Sequence, residues 1–210
     1  MTKEQIVDGV PKILKNAQAL LADANLLFEY KRFERAYSLY QLSIEEVAKA
    51  FFLIGTALFD DLSDSQIQNN INKGIKDHKY KTKKSVGLQS IITNILKKIN
   101  IEKYEELVLD SFDELRDIDK SNDKKNWGFY TSMINGNFQV PQELISEQDT
   151  LKIKTKAGLR VSLGILLVAP LAINFDSIKR QIDESDFDSN KSSKEQIDEF
   201  CRIKEKYKYS

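Results

Sequence analysis

The stretch that decides the fold is RAYSLYQLSIEEVAKA, residues 35–50. A helix turns by about 100° per residue, so residues three and four apart share one face. Glu46 falls inside the apolar stripe that this spacing produces, Lys49 lies on its flank, and Glu45 points nearly the opposite way. A carboxylate on a core-facing stripe needs a partner, and Lys49 is the nearest one. The pair therefore either holds a helix interface together or belongs to a functional site. The members of the stripe are Ala36, Leu39, Tyr40, Ser43, Val47, Ala50 and Ile54.

Two long helices surround this stretch. Residues 3–30 repeat apolar side chains at three and four, and Pro11 predicts either a kink or the true helix start. The second helix is predicted from about Phe33 to Phe59. Because only a short break separates them, the two helices should form an antiparallel hairpin that buries Tyr37 or Tyr40 at its seam.

The rest of the chain predicts more helices and one small β-element. Asn135-Gly136 between two short runs indicates a β-hairpin or extended insertion near residues 127–141, after which Pro141 precedes a helix start. Asp119 to Lys125 is expected to be a charged loop. We predict one all-α domain over residues 1–183, and a polar linker with a C-terminal helix over residues 184–210. The other predicted helices are Ser65–Lys76, Ser85–Ile99, Ile101–Ile118 and Glu147–Asp183, the last of them kinked or broken at Pro170.

Composition limits which binding partners and which cellular compartment are expected. Lys plus Arg number 32 and Asp plus Glu number 32, so net charge argues for neither nucleic acid nor an anionic membrane. Cys201 is the single cysteine, which excludes an internal disulfide and fits a reducing cytoplasm. The apolar run at residues 161–173 is too short to span a membrane, so we expect a buried helix there, or a homodimer contact. We expect no signal peptide, no membrane and no DNA partner.

No motif indicates a cofactor or a metal. The chain lacks a phosphate-binding glycine loop and paired Cys/His spacing, and its single histidine cannot supply a di-iron site. His78 lies in KGIKDHKYKTKK, residues 73–84, which contains six lysines. A metal-independent ribonuclease needs a base for the ribose 2′-hydroxyl and cations for the phosphate. His78 could be that base, or only a surface histidine at a solvated helix end. The lysines that could supply the cations are Lys73, Lys76, Lys79 and Lys81.

A second cluster joins lysines to aromatic residues. Lys124 and Lys125 precede Trp127, Phe129 and Tyr130. Aromatic rings beside cations can stack a base or dock a partner, although such rings before a hairpin also often form local core. We predict a composite site of Glu46, Lys49 and His78 with Lys124 or Tyr130. Separately, we predict that Lys124 and Lys125 contact RNA or phosphate.

Several ordered residues resemble the AbiV family of bacterial abortive infection proteins, which belongs to the HEPN-like all-helical superfamily. The resemblance covers roughly residues 10–180. It is carried by Asn16-Ala17, Leu20, Asp23-Ala24 and Leu27; by Phe33, Ala36, Leu39, Ser43, Glu45-Glu46 and Lys49; and by His78-Lys79, Tyr130 and Pro141 to Ile145.

The resemblance implies a cytoplasmic, dimeric helical bundle. It also implies a phage-defence protein that a phage protein triggers and that then blocks translation. HEPN ribonucleases generally carry an arginine four to six residues before a histidine, whereas this chain has Lys73 before His78. Lysine is a point charge and lacks the bidentate geometry of arginine. Two hypotheses follow: an effector ribonuclease, or a non-catalytic protein that binds an RNA or ribosome-associated target.

Overall fold

The computed structural model describes residues 2–59, 65–66, 68–69, 71 and 118–184. Residues 65–66, 68–69 and 71 are helical, within the predicted helix Ser65–Lys76. The predicted helix Ser85–Ile99, nearly all of Ile101–Ile118, and residues 185–210 lie outside the described residues, so the division at residue 183 stays a prediction. In chain order the elements are α1 (Lys3–Glu29), α2 (Phe33–Phe59), α3 (Ile118–Trp127), β1 (Ser132–Ile134), β2 (Asn137–Gln139), α4 (Pro141–Leu144), α5 (Glu147–Leu163), a π-helix (Gly164–Val168), α6 (Ala169–Ile173) and α7 (Phe175–Asp183).

The two predicted long helices are confirmed. The bounds of α1 and α2 match those expected from the apolar repeat. Pro11 lies inside α1 and does not start it, so the alternative start was wrong. Proline removes one helix hydrogen bond, yet α1 continues through Pro11, and Ile6 and Val10 before it are completely buried.

The turn between α1 and α2 contains one residue in the left-handed backbone conformation. Lys31 has φ 58°, its N–H donates to Phe28 O at 3.0 Å, and the Arg32 N–H donates to Leu27 O at 2.9 Å. This pair of bonds is a Schellman motif, which satisfies the last carbonyls of α1 and reverses the chain. Glycine usually occupies the left-handed position, so Lys31 is held there at some conformational cost.

The chain forms two compact units. The first comprises Asp8–Ala50 and Asp117–Pro170, and the second comprises Met1–Val7, Phe51–Arg116 and Leu171–Ser210. In the described part of the second unit, Phe51, Phe52, Ile54, Leu58 and Ile71 are fully buried. In the first unit a core cluster joins α1 and α2 to α5, and its members are Ala24, Ala36, Tyr37, Tyr40, Ile44, Ile145, Ile153 and Ala157.

The seam between α1 and α2 lies in the first unit and is antiparallel, as predicted. Tyr37 and Tyr40 are both buried. The Tyr40 hydroxyl donates to Asn25 Oδ1 at 2.8 Å, and the Ser43 hydroxyl donates to Ala17 O at 2.9 Å. Burial, with a smaller contribution from the charge of Glu29, raises the pKa of Tyr40 to about 12. Tyr40 therefore stays neutral and hydrogen-bonded at physiological pH.

A helix replaces the predicted charged loop at Asp119–Lys125. Residues Ile118–Trp127 form α3 although their sequence, IDKSNDKKNW, is almost entirely polar. Tertiary contacts explain the error: the Ser38 hydroxyl on α2 donates to Lys125 O at 2.7 Å, and Trp127 packs against the core cluster. Contacts of this kind override a weak local preference.

The predicted β-hairpin is present. Ser132 pairs with Gln139, Met133 with Phe138, and Ile134 with Asn137. Asn135 (φ 51°) and Gly136 (φ 81°) form the two-residue turn, and positive φ at both positions is the signature of a type I′ turn. Pro141 is the first residue of α4, as the sequence predicted.

The predicted helix from Glu147 to Asp183 is not continuous. It widens into the π-helix Gly164–Val168 before Pro170 and is interrupted at Asn174. Proline cannot donate to the carbonyl four residues earlier and crowds it, and a π-bulge is one way to accommodate such a site. A Cβ on Gly164 would lie 2.9 Å from Leu14 and 3.1 Å from Val47, so this segment packs closely on the seam of α1 and α2.

The apolar run at residues 161–173 is buried on one face only. Val161, Gly164, Val168 and Ala172 are buried at helical spacing, whereas Leu166 is largely exposed. The expectation of a wholly buried helix was therefore wrong. Within the described part of the chain, Glu147–Ile173 is the one stretch long and apolar enough to span a membrane, a test that core helices of soluble proteins also pass.

Candidate functional site

A buried polar line runs along α2 and faces α3. Glu34, Ser38, Gln41 and Glu45 follow one another at intervals of four, three and four residues, so they share one face of the helix. The first three are buried and Glu45 is half-buried. We name these four residues, with Lys125 and Gln142, the polar seam. Buried polar groups need partners: α3 supplies them for Ser38 and Glu45, and α4 supplies one for Glu34.

Lys125 is the central cation of the polar seam. Its ammonium donates to Glu45 Oε1 at 2.8 Å, and its main-chain carbonyl accepts the Ser38 hydroxyl at 2.7 Å. The Lys125 residue is buried, so its charge is compensated by a carboxylate rather than by water. Side chain and main chain of one residue thus hold α3 against α2.

Lys124 makes a second ion pair, with α5 rather than with α2. Its ammonium donates to Asp149 Oδ1 at 2.6 Å. Asp149 is also the partner of the N-cap residue Ser146 in the capping box of α5: Asp149 N–H donates to Ser146 Oγ at 3.1 Å, and Ser146 Oγ–H donates to Asp149 Oδ2 at 2.8 Å. Burial raises the pKa of Asp149, but the hydrogen bonds from Lys124 and Ser146 outweigh burial and hold it below its usual value. One carboxylate therefore completes the capping box of α5 and joins that helix to α3.

Glu34 anchors the other end of the polar seam. It is almost fully buried, and its Oε1 accepts long hydrogen bonds from Arg32 Nε and Gln142 Nε2, both at 3.4 Å. Gly128, directly after α3, lies against the same turn of α2. A Cβ there would be 2.0 Å from Ser38 Oγ and 2.3 Å from Glu34 O, so only glycine fits.

The pair predicted from the sequence, Glu46 with Lys49, is present. Lys49 Nζ donates to Glu46 Oε1 three residues before it. The side chain of Lys49 is 25% exposed and that of Glu46 is 19% exposed. A partly solvated pair of this kind contributes little to stability, which fits a helix-boundary role.

The aromatic residues at the end of α3 and just after it differ in burial. Trp127 packs against the core cluster, which confirms the local-core alternative for that ring. Tyr130 is largely exposed, and its ring lies edge-on to Phe129 at 6.3 Å between centroids. The phenol of Tyr130 is therefore accessible to a ligand or partner.

The composite site stays a prediction. His78, Lys73, Lys76, Lys79 and Lys81 lie outside the described residues. Among the described ones, Glu46 and Lys49 form one pair, while Lys124 and Lys125 bond to two different carboxylates. No group of three or more potential metal ligands occurs within residues 2–59 and 118–184 or the five described positions between them.

Sequence reasoning missed the partners that organise this region. Glu45 was expected to point away from the core, yet it pairs with Lys125 eighty residues on. Glu34 and Asp149 were not singled out, and Gln142 was named only as part of the AbiV resemblance. The repeat of polar residues at 34, 38, 41 and 45 was a readable signal, because a polar line at helical spacing inside an apolar helix predicts a polar partner.

The helix hairpin, the packed α5 and the polar seam belong to an all-α protein. The family model HEPN_AbiV, described as AbiV, matches residues 5–159, about three-quarters of the chain, and the chain belongs to this family. The resemblance predicted from the sequence is thereby confirmed. Comparisons with curated proteins and with solved structures each gave no match. Membership in AbiV associates the chain with abortive infection, a form of phage defence.

Proposed function

We propose that this protein is a cytoplasmic abortive infection effector that a phage-encoded protein activates and that then arrests translation. Family membership over residues 5–159 supports the general role in phage defence. The proposal adds two statements to that general role: the phage-encoded trigger and the arrest of translation.

The mechanism that the geometry supports best is binding without catalysis. The observation that carries it concerns the three candidate cations within the described residues: Lys49, Lys124 and Lys125 each donate to a carboxylate of the same chain. A phosphate would have to displace an internal carboxylate before any of these lysines could contact it, which costs the energy of the existing ion pair. The proposed target is therefore a protein or ribonucleoprotein of the translation machinery.

The spacing of Lys73 and His78 favours a second candidate, metal-independent RNA cleavage. His78 would take the proton of a ribose 2′-hydroxyl, whose oxygen then attacks the adjacent phosphorus. The bond from phosphorus to the 5′-oxygen breaks and that oxygen takes a proton from water, which leaves a 2′,3′-cyclic phosphate and a 5′-hydroxyl. Lys73, Lys76, Lys79 or Lys81 would stabilise the charge on the pentavalent phosphate.

A homodimer is also part of the proposal. Leu159 and Leu166 lie seven residues apart on α5 and the π-helix, and both are exposed. An apolar stripe of this kind is often covered by a second subunit. Light scattering at micromolar concentration tests it, and a monomeric mass would refute the dimer.

One infection experiment tests the proposed function and separates the two mechanisms. Cells that express wild-type protein or His78→Ala are infected, nascent protein is pulse-labelled, and RNA 5′ and 3′ ends are sequenced. The binding mechanism predicts arrest in both strains without new RNA ends. Discrete new ends that vanish in His78→Ala would instead establish cleavage. Unchanged labelling and undiminished phage yield in the wild-type strain would refute the proposal.

A further inference from the structure

The β-hairpin lies in an uncharged segment of a highly charged chain. Residues 129–142, FYTSMINGNFQVPQ, contain no Asp, Glu, Lys or Arg, although charged residues make up 30% of the sequence. Natural proteins usually protect the open edge of a sheet with lysine, proline or a bulge. Here the register runs without a bulge from Ser132–Gln139 to Ile134–Asn137, and proline follows only after β2.

One face of the hairpin presents apolar side chains to solvent. Met133 and Phe138 are directly opposite each other, 66% and 74% exposed. Thr131 and Val140 continue the same face by the alternation of a strand, and both are exposed. The opposite face carries Ser132, Ile134 and Gln139, which are partly buried. The exposed face is therefore apolar, uncharged and directed away from the rest of the unit.

The strand edges add open hydrogen-bonding groups to this face. In a hairpin with a two-residue turn, the residues beside the turn exchange hydrogen bonds and the next pair does not. Ile134 and Asn137 are beside the turn, so the main-chain groups of Met133 and Phe138 point outward. Among the described residues, no other strand pairs with β1 or β2.

We propose that this hairpin is the docking site for the phage-encoded activator, which adds an extended segment as a third strand. The segment would carry apolar side chains at alternate positions, packing on Met133 and Phe138 while its main chain bonds one strand edge. This inference rests on the proposed function, since it assigns a surface to the activator named there.

The chemistry of the surface selects this occupant over two others. An RNA or ribosomal RNA partner needs cations, and residues 129–142 have none. A permanent second copy needs an extensive interface of about 1,600 Å², which three-residue strands cannot supply. An extended segment of another protein that pairs with one strand edge needs neither cations nor a large interface area. The hairpin also continues directly from α3, which the ion pairs of Lys124 and Lys125 hold in place.

Site-specific photocrosslinking during infection tests the proposal. p-Benzoylphenylalanine replaces Phe138, and in a control strain it replaces Leu151, a similarly exposed apolar residue on α5. After irradiation of infected cells the adducts are identified by mass spectrometry. We expect a phage-encoded polypeptide bound at position 138, absent at position 151 and absent without infection. An adduct with a second copy or a host protein, or no adduct in protected cells, would overturn the inference.

A charge-insertion variant gives an independent measurement. Met133→Lys with Phe138→Lys should raise phage plating at least tenfold over the wild-type strain, while Leu151→Lys keeps full protection. All variants change exposed side chains, so thermal melts and cellular abundance should match the wild type. Equal protection by wild type and the double variant would overturn the docking site and leave the proposed function intact. Failure of the wild type to protect would overturn the proposed function itself.

Discussion

Gly128 is the position at which a single methyl group should separate α3 from α2. An alanine Cβ there would lie 2.3 Å from Glu34 O and 2.0 Å from Ser38 Oγ, whereas real Cβ atoms stay beyond 3.0 Å. Ser38 can rotate away, but Glu34 O belongs to the backbone of α2 and cannot. The local separation must therefore grow by about 0.7 Å.

The cost follows from what that displacement breaks. Overpacking a close contact costs about 1–3 kcal/mol. The Ser38 hydroxyl also loses its bond to Lys125 O, now 2.7 Å, which adds about 1 kcal/mol. We expect Gly128→Ala to lower the free energy of unfolding by about 3 kcal/mol. For a chain of 210 residues that corresponds to a fall in Tm of about 6–12 °C.

Thermal unfolding followed by far-UV circular dichroism measures this effect, with Gly158→Ala as the matched control. Gly158 lies inside α5, and a Cβ there would meet nothing within 4 Å. Because alanine is the better helix former, the control should gain up to about 1 kcal/mol. A Gly128→Ala melt within about 1 °C of the wild type would refute the close approach of α3 to α2.

Five further substitutions test the polar contacts and the turn. Lys125→Met and Glu45→Gln should each cost about 2 kcal/mol in denaturant unfolding, and the double variant should cost less than their sum; additive losses would contradict a direct pair. Asp149→Asn should cost about 1 kcal/mol at pH 7. The pKa of Asp149 is lowered in the folded protein. Its contribution to stability is therefore fully present above about pH 4, the ordinary pKa of an unfolded aspartate, and is lost as pH falls through the folded pKa. A difference in the free energy of unfolding between variant and wild type that persists in acid would contradict this. Glu46→Gln should cost under about 1 kcal/mol, since its pair with Lys49 is partly solvated, and a melt lowered by more than 5 °C would indicate a buried role. Lys31→Gly should raise stability by up to about 1 kcal/mol by relieving the left-handed residue, and an unchanged or lower Tm would count against that strain.

Local patterns predicted the helix hairpin and the β-turn because each depends on neighbours in sequence. The apolar repeat of α1 and α2 determines which face of each helix is buried. Asn135-Gly136 favours a type I′ turn because both residues readily adopt positive φ angles. The Glu46–Lys49 pair was predicted for the same reason, since three residues along a helix bring two side chains together.

The contacts of α3 could not be predicted in this way. Lys125 meets Glu45 across eighty residues, and Lys124 meets Asp149 across twenty-five. A polar segment such as IDKSNDKKNW has no apolar period to reveal its partner, so its helix depends on tertiary contacts that a local pattern does not contain. The close approach of Gly128 to α2 is likewise a property of packing alone.

A cell-free translation assay tests the central claim most directly. Purified protein is added to a reporter translation reaction with extract from phage-infected cells, and in parallel with extract from uninfected cells. We expect reporter synthesis to fall at least tenfold only when the protein and the extract from infected cells are both present. Equal synthesis in all reactions would contradict an activated arrest of translation, and inhibition by the protein alone would contradict the requirement for a phage-encoded activator.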